Sequence, residues 1–353
     1  MVIKAVDLYS GVGGLTHGLI KSGINVTLGI DIDETCKYAY ETNNNAKFLA
    51  KDVREIKSED MLSYYEGSDY KVLVGCAPCQ PFSNYSNTAS EEKKKEKWFL
   101  LDEFSRLVME IMPDIVSMEN VPQLRKKDVF REFVDVLKGN GYYVDYDLIY
   151  CPDYGIPQSR TRLVLLASRL GKINLPQITH EKSTYVTVRE IIGHLKPIEA
   201  GDRDEKDPLH IASSLSKKNM DRIKQSKPGG TWADWDKKLI AKCHKKKTGS
   251  TYTSVYGRME WDKVSPTITT QFNGFGNGRF GHPEQNRGLS LREGALLQSF
   301  PENYIFFNNE KPIVMKNVST HIGNAVPVRL GEVIGNEIIR HIGGIKSGRE
   351  IRV

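Results

Sequence analysis

The chain has 353 residues, which at roughly 150 residues per domain predicts about two domains and excludes a peptide hormone or disulfide miniprotein. Hydrophobic residues make up 39%, charged residues 27% and aromatic residues 9%, the balance of an ordinary globular protein rather than a disordered or fibrous one. The net charge of +6 is unevenly spread: residues 1–170 carry 21 Lys+Arg against 25 Asp+Glu, and residues 171–353 carry 29 against 19, so a polyanion is the natural partner of the second half and a solubilising surface the plainer alternative.

The opening, Met1-Val2-Ile3-Lys4-Ala5-Val6, is too short for a secretory signal and lacks its cleavage region. The tightest apolar stretch, residues 163–167, is far below the roughly 20 residues of a membrane span, so a cytoplasmic protein with no membrane partner is expected. Residues 2–8 read as a buried strand, and Leu15 with Leu19 one turn on, stopped by Gly23, read as a short helix. Strand-like runs follow at 26–30, 71–75, 114–118 and 163–167, with helical patterns at 104–111 and 129–137. This alternation predicts an α/β fold with a mostly parallel sheet and helices on both faces. From 171 to about 290 Gly, Pro, Lys, Thr and Ser are frequent and long apolar runs are absent, which marks a second, looser domain after a linker at 176–183. Ser290-Leu291-Arg292-Glu293 is a capping-box signature opening a helix that Pro301 must end. Within 326–339, Leu330, Val333, Ile334 and Ile338 share one helical face, suited to packing back on the first domain.

The first strand runs into Tyr9-Ser10-Gly11-Val12-Gly13-Gly14 before the helix. Glycines at a strand-to-helix turn let the backbone pass close to a ligand and aim helix N-terminal N–H groups at it. Asp31, twenty residues beyond Gly11, is placed to accept from both hydroxyls of a ribose. Thr16 stands where the third glycine of G-x-G-x-x-G would fall, so nicotinamide dinucleotide, S-adenosylmethionine and a ligand-free tight turn all remain open on pattern alone.

Five cysteines, an odd number scattered over a long chain, argue for reduced thiols. Gly75-Cys76-Ala77-Pro78-Cys79-Gln80-Pro81-Phe82-Ser83 follows a strand, and in an open parallel sheet chemistry lies beyond the carboxyl ends of the strands. Three readings compete. Half a zinc site lacks a second Cys/His pair at ligand spacing. A redox dithiol is the second. The third is a nucleophilic thiolate, Cys79, with Cys76 as a small buried residue, and no metal is expected. Glu119-Asn120-Val121 ends the next strand and Gln158-Ser159-Arg160-Thr161-Arg162 opens another, so a carboxyl group, two guanidinium groups and a thiol are expected to face one pocket. A zinc deaminase is rejected because His282-Pro283-Glu284 follows the cysteines and the pair is Cys-Ala-Pro-Cys.

At these residues the chain resembles the cytosine-C5 DNA methyltransferases nearly end to end. The matching motifs are Asp7-Leu8-Tyr9-Ser10-Gly11-Val12-Gly13-Gly14, Pro78-Cys79-Gln80, Glu119-Asn120-Val121, Gln158-x-Arg160-x-Arg162 and Gly323-Asn324-Ala325-Val326-Pro327. The resemblance implies an S-adenosylmethionine-dependent, Rossmann-like catalytic domain at 1–180 plus 315–353, with a target-recognition domain at 181–314. It implies that Cys79 is the nucleophile, that Glu119 contacts the cytosine N3 and exocyclic amine, and that Arg160 and Arg162 orient the base and the catalytic loop. S-adenosylmethionine is the implied cofactor. Tyr9, Gly11, Gly13, Gly14 and Leu15 would surround it, Asp31 would bind the ribose and Ile32 pack on the adenine. Asp52 would accept from the adenine amine, with Val53 in the same set, and Asn324 would approach the methionine end.

Duplex DNA with a flipped-out cytosine is the implied partner, and residues 84–97, rich in lysine, are expected to close over it. In the basic domain Trp232, Trp235, Tyr252, Tyr256, Arg258, Arg279 and Arg287 are candidates for groove or phosphate contacts. The expected setting is a monomeric restriction-modification or orphan methyltransferase, with a cognate restriction endonuclease in the former case. An RNA (tRNA) cytosine-5 methyltransferase and a non-catalytic DNA-binding module are the alternatives. The chain departs from the family at Tyr9, where phenylalanine is commoner, and at Lys97-Trp98, where Arg-Gly is frequent.

Overall fold

The computed structural model describes residues 1–78, 99–246 and 249–347. No helix among them is long and apolar enough to cross a membrane. The chain divides into two compact units, the first comprising Met1–Tyr154, Thr161–Thr179 and Ala325–Val353 and the second Gly155–Arg160 and His180–Asn324. Residues 155–160 and 315–324 thus belong to the second unit, although both fall inside the segments expected for the catalytic domain.

The first unit begins with β1 (Ile3–Leu8), α1 (Gly14–Ser22), β2 (Asn25–Asp31), α2 (Lys37–Asn44), β3 (Lys47–Ala50), α3 (Ser58–Leu62) and β4 (Tyr70–Gly75). It continues with α4 (Phe99–Ile111), β5 (Ile115–Asn120), α5 (Asp128–Gly139) and β6 (Tyr143–Tyr150). After β7 (Gln158–Ser159) of the second unit comes β8 (Thr161–Ser168). The strand order is β3-β2-β1-β4-β5-β8-β6. The first five are parallel neighbours, and β8 is antiparallel to both β5 and β6. The chain steps outward from β1 to β2 and β3, then returns to lay β4 on the other side of β1. That reversal opens a crevice beyond the carboxyl ends of β1 and β4, where the glycine turn and residues 76–78 begin.

The sheet forms because its strands are near-continuous apolar runs, as burial on both faces requires: Leu163 to Ala167 in β8 and Val72 to Val74 in β4 are fully covered. In α4, Phe104, Leu107, Val108 and Ile111 recur at helical spacing and are buried, as are Phe130, Phe133, Val134 and Leu137 of α5. The two helices meet through Phe104 and Phe133, whose ring centroids are 5.6 Å apart.

The second unit carries shorter elements: α6 (Val188–Ile192), α7 (Lys217–Gln225), β9 (Ser265–Pro266), α8 (Leu291–Leu297) and α9 (Met315–Asn324), with β9 parallel to β7. Ser290 caps α8 in the expected capping box with Glu293. An aromatic cluster of Ile223, Trp232, Trp235, Leu239 and Phe275 forms a local core.

The chain then returns to the first unit as α10 (Val328–Lys346). Leu330, Ile334, Ile338 and Ile342 line its buried face, and it packs on α1 across a glycine seam. A Cβ at Gly18 would collide with the Val328 carbonyl, and one at Gly331 with the Leu15 backbone.

Candidate active site

The turn after β1 is built from residues that ordinary side chains would not permit. Gly11 and Gly13 have φ of 51° and 87°, left-handed values that only glycine adopts without cost. Tyr9 adopts φ 59° as well, a strained conformation for an aromatic residue. Its hydroxyl donates to the Leu100 carbonyl at 2.6 Å, a tie that phenylalanine could not make. Asp31 braces the same turn, its Oδ2 accepting from the Gly11 N–H at 2.8 Å and its Oδ1 from the Asp33 N–H at 2.9 Å. Beneath the turn, Thr16 donates to Asp7 Oδ2 at 2.7 Å and lies 3.0 Å from the Tyr40 hydroxyl, joining β1, α1 and α2. Burial pushes the Asp7 carboxyl up to about 7 against the pull of that hydrogen bond.

Three observations fit a ligand here. Nothing lies within 4 Å of where a Cβ on Gly11 would stand. The buried Ser10 hydroxyl has no hydrogen-bond partner among the described residues. Gly13 gives α1 no side-chain cap, so its first N–H groups can meet an anionic or polar group. Ile32, just after β2, is 70% exposed. Asp52 accepts from the Arg54 guanidinium at 2.5 and 3.0 Å, which holds its carboxyl below the usual range; an amine donor would share it with Arg54. Leu15 and Val53 are buried, Val53 within the main core.

At the neighbouring strand ends a carboxylate lies between a guanidinium group and a thiol. Glu119, buried at the end of β5, has Oε1 2.8 Å from Arg162 Nε and Oε2 2.7 Å from Cys76 Sγ. The Arg162 N–H is not aligned along its contact, and Oε1 receives no hydrogen bond among the described residues, so this oxygen keeps acceptor capacity for an incoming group. Asn120 donates to the Ala77 carbonyl at 3.1 Å, and the Cys76 N–H to Leu8 at 3.3 Å, fixing residues 76–78 between β1 and β5.

Glu119 and Arg162 therefore come together as expected. Cys79, expected beside them, lies outside the described residues, as do the lysines of 84–97 and Lys97-Trp98. Cys76, a small buried residue in the nucleophile reading, is instead half-buried with its thiol on Glu119; its place three residues before Cys79 was its one signal in the sequence. Arg160 belongs to the second unit, where its guanidinium donates to the Ile268 carbonyl at 3.3 Å and Gln158 Oε1 at 3.4 Å. Asn324, exposed at the end of α9, also belongs there.

Several residues expected at a nucleic-acid surface are interior. Arg287 is wholly buried and paired with Glu293 at 2.6 Å. Arg258, also buried, donates to the carbonyls of Ser226, Ile223, His282 and Gln285. Trp232 and Trp235 belong to the aromatic core, with Tyr256 packed against it, and Arg279 donates to the Gly230 carbonyl at 2.7 Å. Tyr252 is 60% exposed and keeps its candidacy.

The sheet order, with the glycine turn beyond β1 and Glu119 at the end of β5, is that of an open α/β fold with its site at the carboxyl ends of the strands. A family model described as C-5 cytosine-specific DNA methylase matches residues 3–340. The Type II methylase M.HgiDII of Herpetosiphon aurantiacus is 52% identical over 356 residues, covering 100% of this chain and 99% of that protein. The Type II methyltransferase M1.BsuMI of Bacillus subtilis is 30% identical, covering 96% of this chain and 81% of its own. Among solved structures, one described as a DNA modification methyltransferase encoded within an E. coli prophage superposes with a TM-score of 0.71 at 20% identity, covering 97% of this chain and 99% of that one. DNMT2 of Spodoptera frugiperda gives 0.65 at 18%, covering 96% and 99%. The chain belongs to the C-5 cytosine-specific DNA methylase family. Its central sheet is that of the methyltransferase fold.

Proposed function

We propose that this DNA (cytosine-5-)-methyltransferase acts on a flipped-out cytosine in duplex DNA, with Cys79 as covalent nucleophile and Glu119 as the group on the base. Cytosine C5 is too weak a nucleophile to take a methyl group unaided. Addition of the Cys79 thiolate to C6 turns the ring into an enamine whose C5 can attack; loss of the C5 proton and elimination of the thiolate restore the aromatic base. S-adenosylmethionine, when bound, supplies the methyl group on a sulfonium centre. The glycine turn with its open Gly11 face, the Ser10 hydroxyl and Asp31 suits the cofactor's polar groups, and Ile32 suits its adenine.

The observation that carries the reading is the buried Glu119 with an unfilled Oε1 beside Arg162: one carboxyl oxygen accepts from the cytosine exocyclic amine, and the other, carrying a proton, donates to N3 as negative charge develops there. The cytosine must leave its stack to reach these groups, at a few kcal/mol. The two units correspond in this reading to catalysis and target recognition. The relatives named as Type II methylases support a place in a restriction-modification system.

Substitution separates chemistry from binding. Cys79→Ala is expected to abolish turnover while S-adenosylmethionine and DNA still bind, and Glu119→Gln to lower kcat by about 100-fold or more. Turnover of the Cys79→Ala enzyme within about tenfold of wild type would sink the nucleophile assignment.

A further inference from the structure

We propose that Cys76 is a positioning residue for cytosine methylation: its thiol and Arg162 take opposite oxygens of Glu119 and present the carboxylate to the base in one orientation. The inference rests on the role assigned to Glu119 above. The last torsion of a glutamate is broad and roughly two-fold, so burial alone does not decide which oxygen faces where. Here the oxygens have different partners, Sγ at 2.7 Å from Oε2 and Nε at 2.8 Å from Oε1. The thiol itself is held, because its backbone N–H donates to the Leu8 carbonyl and Asn120 anchors the next residue through the Ala77 carbonyl. A carboxylate offers about four lone-pair sites, so one contact on each oxygen leaves room for the cytosine edge. An S–H is a weak donor, so it fixes the position of Oε2 without using up its acceptor capacity, and Oε1 has no hydrogen bond among the described residues. A residue that merely fills the strand end would be replaceable by any side chain of similar volume.

The test compares Cys76→Ala, Cys76→Ser and Glu119→Gln with wild type in steady-state methylation, with calorimetric binding of S-adenosylmethionine and melting curves in parallel. Cys76→Ala is expected to lower kcat about tenfold while the KM for DNA changes less than about twofold. Cys76→Ser, which keeps a donor, is expected to stay within about threefold of wild type, and cofactor affinity to be unchanged in both. Equal losses in the alanine and serine variants, or a loss confined to KM or melting temperature, would overturn the proposal. Should the alanine variant fail to fold, Cys76→Val, donor-free and close in volume, carries the same expectation against serine. A Glu119→Gln enzyme that turns over like wild type would instead remove the assignment beneath it. An inactive Glu119→Gln with an unimpaired Cys76→Ala would reject the positioning role alone.

Discussion

Glu293 is wholly buried, and that burial pushes its carboxyl up, yet the Arg287 guanidinium, helped by the Ser290 N–H, overcomes it and holds the group down at about 2. Because the folded value lies below the ordinary 4.5, the pair's contribution is complete above about pH 4.5 and is lost as pH falls toward 2. Glu293→Gln leaves Arg287 buried without its counter-charge and is expected to lower stability at pH 7 by about 3–5 kcal/mol. Denaturant titrations at pH 7, 4 and 3 should also give the variant a shallower acid dependence than wild type; parallel slopes would contradict the pairing. The same residues explain why nucleic-acid contacts were hard to read from composition. Arg258 and Arg287 count as positive charge in any tally of the basic half, but their guanidinium groups are consumed by interior carbonyls and a carboxylate. Only three-dimensional closure of segments some thirty residues apart, such as Ser226 and Arg258, reveals that.

Among elements, the glycine turn makes the sharpest prediction. Gly11→Ala meets no atom within 4 Å but keeps φ near 51°, a strain of about 1–2 kcal/mol that a folded unit tolerates. The added methyl group stands in the space assigned to the cofactor, so calorimetry should find S-adenosylmethionine affinity reduced at least about tenfold in a protein that still melts cooperatively. Unchanged affinity would place the cofactor elsewhere. The strands that position this turn were legible because strands buried on both faces are unbroken apolar runs: the stretches 26–30, 71–75 and 163–167 fall on observed strands, and 2–8 overlaps β1 from Ile3 on. β6 was not, since it is an edge strand that mixes Asp145 and Asp147 with exposed Tyr143 and Leu148, and β3 is only four residues long. The contact made by Cys76 was not legible for a different reason: a Cys-x-x-Cys spacing carries no information about the carboxylate forty-three residues away that its thiol meets.

At the scale of the whole molecule, the chain joins an α/β unit that carries Glu119 and the glycine turn to a loop-rich unit that holds most of the excess positive charge. Residues 171–300 carry 22 Lys+Arg against 14 Asp+Glu, a surface suited to phosphate once the buried arginines are set aside. Motif order and family membership run through both units, from residue 3 to residue 340, so substrate and chemistry are tested together. The most direct measurement is transfer of a labelled methyl group from S-adenosylmethionine to mixed-sequence duplex DNA, with structured RNA in parallel and the product nucleoside identified by mass. Label recovered in DNA as 5-methylcytosine is the predicted result. Label in RNA alone, or on any other base or position, would contradict the account.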